Sequence, residues 1–395
     1  MMKCKLGDLI DVSRGMSLPG KYYSEEGELI RLTLGNFDYE DGFKFNTAKS
    51  DIYYVGEVKD EFLLKKGDII TPLTEQTPGL LGSTARIPIS DKFIASGDVA
   101  IIKPDENLID KSFCYYLISS PLVKKQLSVT SQQTKIRHTS PDKIKDVIVF
   151  LPDLNKQKRI GELLDSISFK IDNNSSIINQ LESLSKTLFN YWFIQFEFPN
   201  EDGKPYASSG GKLIWNEELQ RKIPENWSFV YAKEIVDVLT GKEDANFATE
   251  NGEYPFFTCA HEILKCPTYK FSGKSILIAG NGDFNVKYYE GKFNAYQRTY
   301  VLTPNQEKYV GILYQNAVQR ITSFKFGSTG SIVKFITKSD VENIELLIPD
   351  NLDLLNPFND ILDRIVLLKK ENDYLRSLRN FLVPLLMNGQ IDFKD

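Results

Sequence analysis

Gln157-Lys158-Arg159-Ile160-Gly161-Glu162-Leu163-Leu164-Asp165-Ser166-Ile167 opens a stretch, running on to Phe198, around which the chain is organised. Its apolar residues Ile160, Leu163, Leu164, Ile167, Ile171, Ile177, Leu181, Leu184 and Leu188 recur at three- and four-residue intervals, the period of one face of a long amphipathic helix. A helix of about 35 residues at roughly 1.5 Å each reaches on the order of 50 Å, too far to lie inside a small domain. The pattern returns in Phe358, Ile361, Leu362, Ile365, Leu368, Leu375, Leu382 and Leu386, where Leu362-Asp363-Arg364-Ile365 answers Leu164-Asp165-Ser166-Ile167. Two matching stripes are expected to bury each other. Asn174 and Asn372 hold equivalent places in the two repeats, either as ordinary exposed helix residues or as polar residues in an apolar seam, where they fix register at some cost in stability.

At 395 residues and 42% hydrophobic, the chain is large enough for two or more domains. No apolar run approaches the roughly 20 residues that span a bilayer, and the start, Met1-Met2-Lys3-Cys4, has no apolar core of a secretory signal, so the expectation is a cytoplasmic protein with no membrane contact. Cys4, Cys114, Cys259 and Cys266 form no CxxC pair and read as reduced thiols. Cys259, His261 and Cys266 lack a fourth zinc ligand at a usual spacing, so no metal is expected. A net charge of −5 excludes a generic polyanion binder, while leaving room for basic groups gathered on one face.

Residues 1–152 read as a mixed domain of many short strands, with Val147-Ile148-Val149-Phe150-Leu151-Pro152 closing it. A first long helix spans 153–198, capped by Asp153 or Asn155, and 199–222 reads as a polar linker. A second domain fills 223–349, and 350–395 forms the second helix and tail. The second half replays the first. Gly7-Asp8-Leu9-Ile10-Asp11-Val12 with Gly15 matches Lys233-Glu234-Ile235-Val236-Asp237-Val238 with Gly241, and Ala100-Ile101-Ile102-Lys103-Pro104 matches Tyr300-Val301-Leu302-Thr303-Pro304. Asp146-Val147-Ile148-Val149-Phe150-Leu151-Pro152-Asp153 likewise matches Asn343-Ile344-Glu345-Leu346-Leu347-Ile348-Pro349-Asp350. Blocks repeated in one order imply duplication, most divergent between residues 15 and 95. The expected fold is α+β: two strand-rich globules separated by two long antiparallel coiled-coil helices, as a pseudo-twofold internal repeat. Dimeric DNA readers mirror duplex symmetry with two reading units about 34 Å apart, so two unlike units on one chain would read a split, asymmetric sequence.

Leu151-Pro152-Asp153-Leu154-Asn155-Lys156-Gln157-Lys158-Arg159-Ile160, Leu188-Phe189-Asn190-Tyr191-Trp192-Phe193, Ile223-Pro224-Glu225-Asn226-Trp227 and Leu385-Leu386-Met387-Asn388-Gly389-Gln390-Ile391 carry a family likeness. In these phrases the chain resembles the specificity (S) subunits of type I restriction-modification systems, and the second helix start departs from them by lacking the Gln-Arg-Ile wording. The resemblance implies a non-catalytic chain with two target recognition domains, each reading half of a bipartite site in double-stranded DNA. It implies two modification (M) subunits, which use S-adenosylmethionine to methylate adenine N6, and two restriction (R) subunits, which use ATP and Mg to translocate and cut. No cofactor is expected in this chain. The competing reading, from the residues alone, is a coiled-coil scaffold whose two globules bind proteins.

Enzyme signatures are missing. Ser272-Gly273-Lys274-Ser275 lacks the upstream glycine of a phosphate-binding loop, Asn356-Pro357-Phe358 reads as a helix start rather than a methyltransferase motif, and two histidines supply little for acid–base chemistry. Base readers need Arg, Lys, Asn, Gln, Ser and Thr at groove edges. The polar loop Thr130-Ser131-Gln132-Gln133-Thr134-Lys135-Ile136-Arg137-His138 and its counterpart Phe326-Gly327-Ser328-Thr329-Gly330-Ser331-Ile332-Val333-Lys334 fit that need before the last strand of each half. Further candidates are Arg14, Thr74, Gln76, Thr77, Thr84 and Arg86 in the first half, and Lys242, Asn281, Asp283, Tyr296, Gln297 and Arg298 in the second. Trp192, Phe193 and Phe196 are expected at an interdomain junction or against a partner subunit, with packing in a core the safer reading.

Overall fold

The computed structural model describes residues 1–38, 40–46, 52–75, 79–130, 137–282, 284–326 and 335–393. The chain divides into two compact units, Met1–Asn174 with Glu371–Asp395, and Ser175–Lys370.

The first long helix, Leu154–Phe189, starts where Asp153 accepts the Lys156 N–H at 3.0 Å. Three residues into it the buried amide of Gln157 accepts from the Asp110 N–H at 2.9 Å and donates to the Pro152 carbonyl at 2.9 Å, tying the helix to the globule before it. The second long helix, Asn356–Met387, begins without that wording, yet Asn359 accepts from the Gly311 N–H at 2.8 Å and donates to the Lys308 carbonyl at 3.0 Å. A different amide thus docks each helix start.

Within the first helix the buried positions Ile160, Leu164, Ile167, Ile171, Asn174 and Ile178 step by four and three, the heptad spacing of a coiled-coil seam. In the first unit Ile160 and Leu164 share a core with Val383, Leu386 and Met387; in the second, Ile178 packs with Ile365 and Leu368, and Phe189 meets Phe358 edge-on. Partner numbers fall as the first helix's numbers rise, so in each unit the pairing is antiparallel. The seam departs from the sequence expectation in two places. Leu163 and Leu184 lie off it, 36% and 53% exposed, and Ile178 is more deeply set than Ile177, because only every third or fourth position stays on a face this narrow. Asn174 and Asn372 are fully buried in the seam of the first unit, the Nδ2 of Asn174 donating to the Oδ1 of Asn372 at 2.9 Å and the Nδ2 of Asn372 to the Ile171 carbonyl at 3.3 Å.

The two globules share an antiparallel four-strand frame. In the first unit the order is Ala85–Arg86, Ile69–Pro72, Val99–Pro104, Ile10–Arg14; in the second it is Val286–Ala295, Phe271–Ala279, Thr299–Pro304, Val236–Thr240. Registers agree residue by residue: Ala100 faces Arg14 as Tyr300 faces Thr240, and Ile69 faces Arg86 as Ile276 faces Tyr288. A further pair, Met2–Lys5 with Ile148–Leu151, is matched by Trp227–Tyr231 with Glu345–Pro349. Gly15 and Gly241 end equivalent strands, and a Cβ at either would strike backbone carbonyls, of Ala95 and Ser96 in one unit and of Ala295 and Tyr296 in the other. The halves differ where the sequence drifts. The first builds a separate small sheet, with Phe93–Ile94 parallel to Ile30–Arg31, whereas the second lays Tyr254–Phe257 parallel to Val286–Ala295 and extends its main sheet to six strands.

Asp165 of the first helix docks on its globule by accepting from Arg86 Nη1 at 2.6 Å, Ser112 Oγ at 2.6 Å and Tyr116 Oη at 2.9 Å. Residues 199–222, expected as a linker arm, are folded onto the second unit. Tyr206 stacks on Phe198, Phe198 stacks on Trp227, and Leu213–Asn216 pairs with Arg221–Pro224. Aromatic residues at both ends of the stretch override its polar composition. In the first unit Arg376 and Arg379 converge on Asp41, at 2.7 and 3.0 Å. Burial alone raises the Asp41 carboxyl, but the two guanidiniums more than offset this and hold it below the ordinary carboxylate range.

Arg86→Ala is expected to cost about 2–3 kcal/mol by leaving Asp165 without its cation, read by chemical denaturation. Asn372→Ala removes the buried partner of Asn174 and is expected to cost about 1–3 kcal/mol, whereas replacing both asparagines by leucine recovers stability at the expense of a unique register. Because Asp41 is depressed when folded, its contribution is complete above the unfolded value of about 3.9 and is lost as pH falls through the folded one. Asp41→Asn is therefore expected to flatten the acid limb of the stability profile.

Candidate nucleic-acid interface

Each frame ends in a tip built by the same backbone hydrogen bonds. In the first unit the Gly15 N–H donates to Val99 O at 2.8 Å, Leu73 N–H to Asp98 O at 2.8 Å, and Thr139 N–H to Leu73 O at 2.9 Å. In the second, Gly241 donates to Thr299 O at 3.0 Å, Gly280 to Arg298 O at 2.8 Å, and Ile336 to Gly280 O at 2.7 Å. Short strand pairs complete the tips: Glu75 with Arg137 and Thr74 with His138 in one, Asn281 with Phe335 in the other. Chain segments distant in sequence thus meet at one edge in each unit.

The side chains carried there differ. The first tip presents Arg14, exposed and donating to the Gly97 carbonyl at 3.2 Å, with Arg137 and exposed His138. The second presents exposed Lys242, Gln297 and Arg298 and half-buried Asn281 and Tyr296. Gln297 donates to Asp244 at 2.8 Å, and neither Lys242 nor Arg298 pairs its charge with a carboxylate among the described residues. An open cleft of about 460 Å³ beside them is lined by Gly280, Gln297, Arg298, Phe335 and Lys338. Under it Tyr300 donates to the Ile336 carbonyl at 2.8 Å, and burial pushes its phenol up, keeping it a neutral donor. Exposed cations beside amides and backbone donors are what phosphate and base-edge contacts require.

Three first-half candidates do not present their side chains at that edge. Thr74 is in the tip strand with its side chain buried; Thr84 is buried and donates to the Tyr115 carbonyl at 3.0 Å; Arg86 is held by Asp165 and lies over the Tyr115 ring at 4.3 Å. Contacts with Tyr115 and Asp165 hold Thr84 and Arg86 inward, and Thr74 is buried beside Glu75. Phe193 and Phe196 are buried in the core of the second unit, and partly buried Trp192 packs on it; Phe193 stacks on Phe189 at 5.3 Å and packs on Trp227 at 4.8 Å. Core packing, not a junction or partner surface, accounts for these aromatics. Gln76, Thr77, Gln132, Gln133, Lys135, Asp283, Ser328, Thr329, Ser331 and Lys334 lie outside the described residues.

Sequence reading passed over Glu75, buried at the first tip, and Phe335, 58% exposed at the second. An acid beside candidate DNA-contacting residues and a phenylalanine in a polar loop carry no signal by residue type. Their pairing across the tip strands was the only cue. Among the described residues no group of three His, Cys, Asp or Glu side chains could hold a metal, and no helix is long and apolar enough to cross a membrane.

Comparison with known proteins gives the family and the fold. The chain fits the family described as type I restriction modification DNA specificity domain over residues 1–183 and 224–353. It is 32% identical over 179 residues to the EcoDI specificity subunit of Escherichia coli, covering 43% of this chain and 40% of that one. Over 348 residues it is 23% identical to the MjaIX specificity subunit of Methanocaldococcus jannaschii, covering 79% of this chain and 78% of the relative. The crystal structure of the type I restriction-modification S subunit from M. genitalium shares the fold at a TM-score of 0.59 and 18% identity, covering 100% of this chain and 96% of that one. Matched across both of its repeated halves, the chain belongs to the type I restriction-modification DNA specificity family.

Proposed function

We propose that this chain is the non-catalytic DNA-recognition subunit of a type I restriction-modification complex. The observation that carries the reading is the duplicated tip: one hydrogen-bonding frame, two unlike sets of side chains. Arg14 and Arg137 with the 130–138 loop read one half of a bipartite site; Lys242, Asn281, Tyr296, Gln297 and Arg298 with the 326–334 loop read the other. The paired helices fix the interval between the two words, and because the sets differ the site is asymmetric.

The chain does no chemistry on the DNA itself. Two modification subunits supply S-adenosylmethionine-dependent methylation of adenine N6 and flip the target base; two restriction subunits supply ATP- and Mg-dependent cleavage. Docking of other subunits is supported by apolar side chains left on the long helices. Phe169 is 74% exposed, and Tyr374 and Phe381, seven residues apart on one helix face, are 68% and 65% exposed, a pattern suited to a partner helix.

The test is to assemble the full chain with its modification subunits, select duplexes from a random pool, and map the methylated adenines. Two fixed words at one separation are expected. Arg298→Ala is expected to cost roughly 10- to 100-fold, the worth of a bidentate arginine–base contact, in one word only. Equal loss in both words sinks the modular reading, and binding to proteins but to no duplex favours the scaffold.

A further inference from the structure

Glu75 is 1% exposed. Its Oε2 accepts from the N–H groups of Gly79, Leu80 and Leu81 at 2.9, 2.9 and 3.0 Å, while Oε1 faces Arg137 Nη1 at 3.6 Å across a backbone pair. Nη1 also donates weakly to Ser128 Oγ at 3.4 Å. The contacts of Arg137 with described residues are thus made through Nη1, and a third of its side chain remains exposed.

Burying a carboxylate is costly, so its presence asks for a reason. The three turn N–H groups account for Oε2, while Oε1 is the oxygen that faces Arg137. Counting two residues beyond the equivalent amides of Leu73 and Gly280 places Glu75 opposite Gly282, and among the described residues nothing lies within 4 Å of a Cβ built there. The position equivalent to Glu75 in the second unit is thus a glycine, so the carboxylate at this place is particular to the first tip.

We propose that Glu75 is a positioning residue for the first half-site. It holds one edge of the Arg137 guanidinium, leaving the Nη2 edge directed to a base with two acceptors in the major groove, as guanine presents in O6 and N7. An arginine ion-paired at 3.6 Å to a buried carboxylate loses less freedom on binding than an untethered one. The same carboxylate secures the Gly79–Leu81 turn beside it. The proposal rests on the DNA-reading assignment above.

The experiment uses the full chain assembled with its modification subunits, a random duplex pool, and then duplexes altered at each position of each word. In Glu75→Gln the amide oxygen can still accept from the turn, but the charge facing Arg137 is gone. It is expected to lose roughly tenfold discrimination at one position of the first word, with the second word unchanged. Arg137→Ala is expected to lose discrimination at that same position, and the double variant to lose no more than Arg137→Ala. Arg137→Lys, at a partly exposed position that leaves the buried carboxylate in place, is expected to lose it as well and gives the readout if Glu75→Gln fails to assemble. Discrimination retained in these variants, a uniform loss over all sequences, or blunting of both words overturns the proposal. A wild-type complex that selects no two-word site overturns the DNA-reading assignment, and the role of Glu75 with it.

Discussion

The seam of side chains spaced by four and three residues is the constraint on which the rest of the fold depends. A long amphipathic helix has no stable place in water without a partner, and here Ile160, Leu164, Asn174 and Ile178 each find one on the second helix within the same unit. Asn174 and Asn372 interrupt that seam with two amides. Shifting either helix by one turn would leave each amide against hydrocarbon, at a cost near 1–3 kcal/mol apiece. The pair therefore contributes little as attraction and much as a reference point.

On this base the chain keeps a strict separation between what builds and what reads. The building parts are the antiparallel frame, the buried Gln157 and Asn359 amides at the helix starts, and Asp165 gripping Arg86, Ser112 and Tyr116. The side chains proposed to read DNA hang from carbonyls and amides of that frame at the tip. Because the supporting bonds are backbone to backbone, the exposed side chains there can vary without disturbing them. Arg14 stands where the second unit has Thr240, and Asp98 where it has Arg298, yet both tips keep the same bonds.

Much of the fold was legible in the sequence because repetition speaks louder than propensity. Helix periodicity, the recurring Leu-Asp phrase and the Gly15–Gly241 correspondence all survive duplication, and each reflects a steric or packing demand that residue choice cannot evade. The docking of the helix starts was half legible: Gln157 was part of a recognisable phrase, while Asn359 does the same work four positions beyond the residue that aligns with it. Inward-facing residues at the site were not legible. Residue type alone makes Thr84 and Arg86 surface donors, and only their contacts with Tyr115 and Asp165, distant in sequence, place them inward. Glu75 was hidden for the opposite reason, since a carboxylate argues against phosphate binding unless the arginine it faces is known.

The bare aromatic rings of Phe169, Tyr374 and Phe381 bear on how the protein must be handled. Left uncovered, such rings favour self-association at the concentrations used in purification. The chain is best produced together with whatever protein shields them, and its solubility in isolation is a poor guide to the quality of its fold.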